Sequence, residues 1–591
     1  MLDRLPIAPK LLTLNKERPI LQFEKEIGFA KVDHVDDTEV DRIAQCIAGR
    51  AIFLTGATGY LGKALVEKLL RSCSDLKKIY LLMRPKKGKS PEERLKELVD
   101  SVLFDKVREQ HSLDWVISKV KLIAGDVMEP QLGISPEDIE ILRNEVSIVV
   151  HCAATVRFDE ALRNAVFLNV RGTRYMLDLA STFKNLNVFW YVSTTYCHVH
   201  IDNLYEKPYD PPADPHSIIK MCEMLSDKDV ADAEKCIMGN IPNSYSYTKS
   251  LAEALVVERF GKMPAGIIRP SIVIPPLREP IRGYTDNMNG PIGILLGAAK
   301  GVIRTMYIRE EGYGDMVPLD FAVSGIIAST WRYLTTDVEP MEMPIVHLSC
   351  AKDMKITWRE LIEVGRWVVD KKVPVNGVVW YPGGSIKSNI ILHWISMILF
   401  HWLPALLLDT LLVLFRQKPV LIRVQKRITK GLTVIGYYAN GTWNFDNSNV
   451  IGMRKLMNNR ERLTYPIEVF EFDPTDYFAD CLMCARRIIL KQTDDTLPAA
   501  KRHLRIMWCL DKLVKGLFLF GFCYYIYQHL FADFMNGFSG HYAGYKETKS
   551  LITSNVSNLT TPEWNQTHIG GILDDQNSPP CWTNCRLLQK F

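Results

Sequence analysis

Short apolar runs alternate with amphipathic stretches through the first half of the chain, and that alternation predicts the architecture. Ala51–Leu54 is an apolar run that meets a turn containing Gly56, Gly59 and Gly62. A stretch rich in Ala, Leu, Lys and Glu then runs to Leu70 with the spacing of a helix that buries one face. Apolar runs at Ile79–Met83, Val120–Gly125, Ile148–His151 and Val188–Val192 are predicted strands, with helix-length segments between them. Strands and helices alternating at this spacing predict an α/β fold with a doubly wound, parallel Rossmann-type sheet. In the second half the pattern becomes helical. Trp358–Val369 and Asp446–Met457 read as soluble helices, and two long apolar stretches stand out, Ile390–Phe415 and Gly516–Phe531. A mainly helical C-terminal domain followed by a C-terminal membrane segment is therefore expected.

Composition narrows the class. A chain of 591 residues is too long for one core, so two or more domains are expected. The net charge of +5 is small for this length, and no basic stripe carries interleaved aromatics, which argues against nucleic-acid binding. The 13 cysteines are scattered, as in a reducing compartment. Cys481 and Cys484 form a single C-x-x-C with no second pair nearby and read as helix thiols. His198 and His200 read as loop or substrate-wall histidines, so no metal site is expected. Residues 1–50 read as a leader without chemistry, and the first of them lack the sustained apolar core of a cleaved signal peptide.

The candidate chemistry follows the strand ends. Glycines spaced G-x-x-G-x-x-G let backbone approach a phosphate, and the helix N-terminus after them offers free N–H groups to a pyrophosphate. The second strand ends in Arg84, followed by Lys86, Lys87 and Lys89. An acidic residue there would suit the ribose hydroxyls of NAD, whereas positive charge suits the 2′-phosphate of NADP. Asp126 follows the third strand, within reach of an adenine edge. Ala153 and Ala154 follow the fourth and leave room for a flat cofactor. A helix carries Asn169 and Gly172, and the fifth strand ends in Ser193, Thr194 and Thr195. Ligands of such sheets bind outside the carboxyl ends of the strands, where all of these fall.

The catalytic candidates are Tyr245 and Lys249. Four residues apart, they share one helix face. A phenol with a reference pKa of about 10 is a poor acid–base group at neutral pH. An ammonium one turn away and a bound nicotinamide cation would lower it. Ser193 or Thr194 would hold the substrate oxygen. Tyr247, two residues from Lys249, faces away.

These residues give the chain a resemblance to the fatty acyl-CoA reductases, a branch of the extended short-chain dehydrogenase/reductases. It is carried by TGATGYLGKALVEKLLRSC (55–73), HCAATVRFDEALR (151–163), NVRGT (169–173), YVSTTYCH (191–198), YSYTKSLAE (245–253), RPSIV (269–273), DNMNGPIG (286–293) and GVIRTM (301–306). The resemblance implies reduction of a long-chain acyl-CoA to a primary alcohol by two NADPH, through an aldehyde and with release of CoA. Tyr245 would be the proton donor. Lys249 would hold the nicotinamide ribose and tune Tyr245, and Thr194, with Ser193 second, would bind the carbonyl oxygen. Cofactor contacts would come from Thr55, Gly56, Thr58, Gly59, Tyr60, Leu61, Gly62, Arg84, Asp126, Val127, Ala153, Ala154, Asn169, Tyr245, Lys249 and Pro270. No cysteine nucleophile is required. The alternative is a membrane-bound extended reductase acting on a sterol or a nucleotide sugar. The expected domains are a leader (1–50), an NADPH-binding reductase domain (51–375), a helical domain (376–500), a membrane anchor region (501–535) and a tail (536–591).

Charge orders the membrane reading. Arg416, Lys418, Arg423, Lys426, Arg427, Lys501, Arg502 and Arg505 lie between the two apolar stretches, and the positive-inside rule puts them in the cytosol. Crossing by Ile390–Phe415 would place the catalytic domain in the lumen, against a cytosolic supply of acyl-CoA and NADPH. That stretch also contains His393, His401, Pro404 and Asp409. It is expected not to cross, but either to pack as a core hairpin or to lie in the interface and receive acyl chains. The second stretch is expected to cross once and leave a luminal tail, where Asn555, Asn558 and Asn565 begin glycosylation sequons and Cys581 and Cys585 would pair. This favours the endoplasmic reticulum over the peroxisomal membrane. Oligomeric state stays open.

Overall fold

A computed structural model describes residues 38–86, 88–288, 290–336, 342–469, 472–528, 545–551 and 553–554. The expected sheet is there. Its strands are β1 (Ala51–Thr55), β2 (Lys78–Met83), β3 (Val120–Ala124), β4 (Val146–His151), β5 (Val188–Val192), β6 (Ala265–Pro270) and β7 (Ile345–Leu348). They form one seven-stranded sheet in the order β7-β6-β5-β4-β1-β2-β3, and every neighbouring pair is parallel. The strand order reverses between β1 and β4, and that switch point sets where a ligand crevice opens. Strands β1, β4, β5 and β6 are buried along their whole length, which is why they read as continuous apolar runs rather than alternating ones.

The helices that matter for the site are α1 (Arg42–Ile47), α2 (Tyr60–Ser72), α3 (Pro91–Val99), α4 (Gly172–Ala180), α5 (Ser244–Val257), α6 (Pro291–Ala299), α7 (Leu319–Leu334), α8 (Trp358–Lys371), α9 (Ile390–Met397), α10 (Leu403–Leu414), α11 (Leu421–Asn440), α12 (Pro474–Cys484) and α13 (Leu497–Ile526). Core on one side of the sheet is built by α2 and α7 against β1, β2, β4 and β5, and on the other by α4 and α5. The end of the stretch read as a leader belongs to the first of these cores. Ile43 and Ile47 are fully buried there, and Arg42 pairs with Glu461 at 2.6 Å.

The chain divides into two compact units, Met1–Asp511 and Lys512–Phe591. The described part of the second is helical and exposed. The sequons and the Cys581–Cys585 pair lie outside the described residues, as do the last residues of the Gly516–Phe531 stretch. Cys481 and Cys484 are buried free thiols on α12.

Among the described residues one helical run, Ile390–Leu414, is long and apolar enough to cross a membrane, with a mean hydropathy of 2.0. Its polar groups are arranged at every fourth position. His393, Met397, His401, Ala405 and Asp409 are buried, while Ile391, Ile395, Leu399, Leu406 and Val413 are exposed. The Asp409 carboxylate accepts from the backbone N–H groups of Val420, Leu421 and Ile422 at 2.8–3.0 Å, capping the start of α11. His401 Nε2 accepts from the Arg304 N–H at 3.0 Å, which leaves its Nδ1–H to donate to Gln425 Oε1 at 3.3 Å. The two histidines and the aspartate of this run therefore have protein partners.

Candidate active site

The turn after β1 is built on close backbone approach. Gly56 has φ +75°, and a Cβ there would lie 2.8 Å from the Ala153 nitrogen at the end of β4. At Gly62 a Cβ would come within 2.3 Å of the Gly56 carbonyl oxygen. The first glycine thus lets two strand ends meet, and the third lets α2 start tight against its own turn. Thr58 and Gly59 are exposed at the tip, above the free N–H groups of α2. Beneath them His151 links Thr55 Oγ1 (2.7 Å) to Thr173 Oγ1 (3.1 Å), and Thr55 Oγ1 accepts from the Ala153 N–H at 3.1 Å. Burial pushes His151 down to about 3, so it is a neutral structural spacer. Ala153 and Ala154 remain partly exposed beside Gly56.

Arg84 and Asp126, predicted separately, form one unit: Arg84 Nη1 donates to Asp126 Oδ2 at 2.8 Å. The reading of the sequence missed Arg94 on α3. Its Nη2 donates to Thr58 Oγ1 at 2.6 Å and its Nη1 donates to the Arg84 carbonyl oxygen, so a second guanidinium stands beside the glycine turn. Within the run PEERLKELVD it looks like one more charge on a solvated helix, and only the return of α3 over β2 singles it out. Tyr60 turns away from the phosphate region. Its hydroxyl donates to the Tyr284 carbonyl at 2.6 Å and the two rings stack, which leaves its backbone to the turn. Lys63 pairs with Asp286, so the DNMNGPIG segment is fastened to the first turns of α2. Leu61 packs against the core, and Val127 lies under Gly172, where a Cβ would meet the Val127 carbonyl oxygen at 2.9 Å.

Next to the turn stand the catalytic candidates. Asn243 caps α5 by accepting from the Ser246 N–H at 2.9 Å, and Tyr245 sits in the first turn. Asn169 joins this helix to the loop after β4: its Oδ1 accepts from the Thr155 N–H at 2.9 Å and its Nδ2 donates to Thr248 Oγ1 at 2.9 Å. Thr194, at the end of β5, lies beside the Tyr245 phenol. The Ser193 hydroxyl beside it is buried and finds no partner among the described residues. Lys249, one turn along α5, is buried. Its Nζ donates to the Val192 carbonyl at 2.6 Å and lies 4.7 Å from the Tyr191 ring centroid. Burial pulls Lys249 down to about 8, against the pull of Cys152 and Glu253. Burial likewise raises the Tyr245 phenol, with Thr194 acting the other way. With the ammonium tied to Val192, the phenol stays protonated and is a proton donor as it stands. Pro270, ending β6, is buried close to this corner. Tyr247 is wholly inside the lower core, as its spacing requires.

Two further groups escaped the sequence reading. The first is an aromatic wall: Phe158 lies edge-on to Tyr245 at 5.7 Å and stacks with Tyr438 of α11 at 5.5 Å. The Tyr438 hydroxyl bonds both Asn243 Nδ2 (2.7 Å) and Ser246 Oγ (2.8 Å), so the helical region supplies part of the catalytic corner. The second is a buried ion cluster behind Lys249. Arg269 grips both oxygens of Glu253, at 2.9 and 2.7 Å, and His198 Nε2 meets Glu253 Oε2 at 3.2 Å. Against the cost of burial, Cys197 and Glu253 hold His198 up to about 10. Cys197, His198 and Glu253 lie close enough to hold an ion, but Arg269 already neutralises the carboxylate, and the cluster works as a brace between α5 and β6. His198 is thus a loop histidine, as expected, and it is buried as part of this brace.

The predicted residues therefore lie along the carboxyl ends of β1 to β6: glycines whose Cβ positions are already occupied, a guanidinium pair beside the glycine turn, and an orphaned buried hydroxyl at the end of β5.

Comparison with known proteins agrees with this geometry. Two family profiles, both described as male sterility protein, match residues 54–326 and 400–492; the first is an NAD-binding domain. The chain is 36% identical to fatty acyl-CoA reductase 1 of Rattus norvegicus over 465 residues, covering 78% of this chain and 89% of the relative. It is 34% identical to the Homo sapiens protein of that name over 462 residues, with the same two coverages. Among solved structures, the reductase domain of a nonribosomal peptide synthetase from Mycobacterium tuberculosis superposes with a TM-score of 0.50 at 19% identity, covering 77% of this chain and 97% of that one. That likeness supports the fold alone.

Proposed function

The chain belongs to the fatty acyl-CoA reductase family, and on that premise we propose that it reduces a long-chain acyl-CoA to the primary alcohol with two equivalents of NADPH, releasing CoA. It is an oxidoreductase with a nicotinamide cofactor. The observation that carries the finer reading is the convergence of Tyr245, Thr194 and Lys249 beside the glycine turn. When bound, the nicotinamide supplies the two electrons of each reduction. Tyr245 and Thr194 meet the oxygen that becomes negative at the thioester carbonyl and at the aldehyde, and Tyr245 gives it a proton. Ser193, with its unused hydroxyl, is the second donor. The thiol of CoA leaves as the first tetrahedral adduct collapses, so the balance is two NADPH and two protons consumed per alcohol. Lys249, its ammonium held at the Val192 carbonyl, positions the nicotinamide ribose.

NADPH rather than NADH is favoured by Arg84 and Arg94, two guanidinium groups at the end of β2 where a 2′-phosphate would lie. The test is product analysis: incubation with palmitoyl-CoA and NADPH yields hexadecanol, and NADH replaces NADPH poorly. Arg84→Ala costs about tenfold or more in NADPH affinity and little for NADH, the size expected of a lost charged hydrogen bond. Equal losses for both cofactors, or no alcohol from any acyl-CoA, would refute the reading.

The domain reading stands beside it: a reductase domain over 51–375, a helical domain over 376–500, an anchor region over 501–535 and a tail over 536–591. The chain is anchored in the endoplasmic reticulum membrane with its catalytic domain cytosolic, crossing once in the second apolar stretch. Ile390–Leu414 lies in the interface. What supports this is the inward set His393, His401 and Asp409, each held by protein, under an outward apolar face bordered by exposed Arg416, Lys418, Arg423, Lys426 and Arg427. In cells the tail sequons then carry glycans, seen as an endoglycosidase-sensitive mobility shift. No shift, with a tail open to protease on intact microsomes, would reverse the orientation.

A further inference from the structure

Two adjoining apolar pockets lie beyond the end of β6. Beyond Pro270 the chain passes Ser271 into a short strand, Ile272–Ile274, which pairs in parallel with Met316–Pro318. Tyr196, two residues beyond Thr194, lies beside Asp315. Gly314 and Met316, on either side of Asp315, with Ile274, line an apolar pocket. That pocket shares Ile292, Leu295, Phe478 and Cys481 with a second one between α6, α8 and α12, so the two form one elongated apolar groove. The walls are almost wholly apolar, and the charged side chains among them are Arg304 and Arg366.

The far end of the second pocket reaches the ladder between Thr305–Tyr307 and Ser385–Lys387. The interfacial helices are fixed to that same ladder: His393 Nδ1 bonds Thr305 Oγ1 at 3.3 Å, and His401 accepts from Arg304. The apolar space thus runs from Gly314 and Met316, on either side of Asp315, to the residues that hold the Ile390–Leu414 run.

Midway along α8, Gly365 forms part of the wall. A Cβ at this position would meet Leu295 Cδ2 at 3.6 Å, ordinary contact, so alanine fits and anything larger enters the cavity. This helical glycine does not have a positive φ, so its lack of a side chain serves the space and not the backbone.

We propose that this cavity holds the alkyl tail of the acyl-CoA, with its thioester at Tyr245 and its methyl end toward the membrane helices, and that Gly365 and Leu295 set the length of chain accepted. The proposal rests on the acyl-CoA reading above. Its occupant is the substrate's own chain; a resident membrane lipid would be a different occupant and is separated by the test.

The test is the chain-length profile of the full-length enzyme in detergent, with octanoyl-, palmitoyl- and behenoyl-CoA, for wild type, Gly365→Leu and Leu295→Ala. Gly365→Leu is expected to lose about tenfold or more in kcat/KM for palmitoyl-CoA relative to octanoyl-CoA. Leu295→Ala is expected to move the preference from palmitoyl toward behenoyl. Thermal unfolding of each variant shows whether it folds; should Gly365→Leu fail, Leu295→Ala alone decides. A length profile unchanged in the folded variants, or a loss equal at all lengths, overturns the cavity assignment and leaves acyl-CoA reduction standing. A resident lipid gives that equal loss. No reduction at any length by wild type overturns both readings.

Discussion

Tyr245→Phe is expected to lower kcat/KM for acyl-CoA about 10³-fold while the reduced nicotinamide cofactor binds within about twofold of wild type. The geometry gives the reason. The phenol stands on the first turn of α5, beside Thr194, with burial raising its pKa. It is therefore a stored proton, and phenylalanine keeps the ring packing against Phe158 at 5.7 Å while removing only the proton and the oxyanion contact. Lys249 sets the pH dependence. Held at about 8 by burial, its ammonium is present below that value and lost above it, so reductive turnover by wild type falls as pH rises through about 8. The measurements are stopped-flow NADPH oxidation and cofactor titration by fluorescence. A Phe variant with near-normal turnover would remove Tyr245 from the chemistry.

Arg269→Ala is expected to be the most destabilising single change, by about 3–5 kcal/mol. It removes a fully buried guanidinium that grips both oxygens of Glu253 and leaves that carboxylate in the core. The pH dependence has a definite sign. Glu253 is held well below its ordinary value, so its contribution is complete above about pH 4.3 and is lost as pH falls toward the folded value. In the variant the carboxylate protonates at higher pH. The gap between wild type and variant is thus widest at neutral pH and narrows on acidification. Urea unfolding at several pH values measures it; a gap below about 1 kcal/mol at neutral pH would mean that the cluster does not brace α5 against β6.

Where a candidate residue sits at a strand end, the amino-acid order places it. Thr55–Gly62, Arg84, Asp126, Ala153 and Thr194 each close or follow an apolar run that becomes a strand of the sheet, and the carboxyl ends of parallel strands lie on one side whatever lies between them. Tyr245 and Lys249 are marked by their spacing on one helix, but residues brought in from other helices are not. Arg94 and Tyr438 carry no local mark, because their partners, Thr58 and Asn243, lie 36 and 195 positions away. Glu253 and Arg269 sat inside the quoted motifs, yet nothing in their spacing shows that α5 and β6 place them within one hydrogen bond of each other.

The same division holds for the helical half. Hydropathy alone marked Ile390–Phe415 as apolar and left two fates open, because an index sums over a helix and is blind to which side each residue takes. Packing decided the sides: the fourfold repeat from His393 to Asp409 turns His393, His401 and Asp409 onto Thr305, Arg304, Gln425 and the first turn of α11, and leaves the apolar face uncovered. Sequence thus determined what is covalent or local, namely which runs become strands, the turn glycines and the four-residue step from Tyr245 to Lys249. Tertiary structure determined what depends on distance through space: which charges cancel, which hydroxyl is left without a partner, and where an apolar cavity runs.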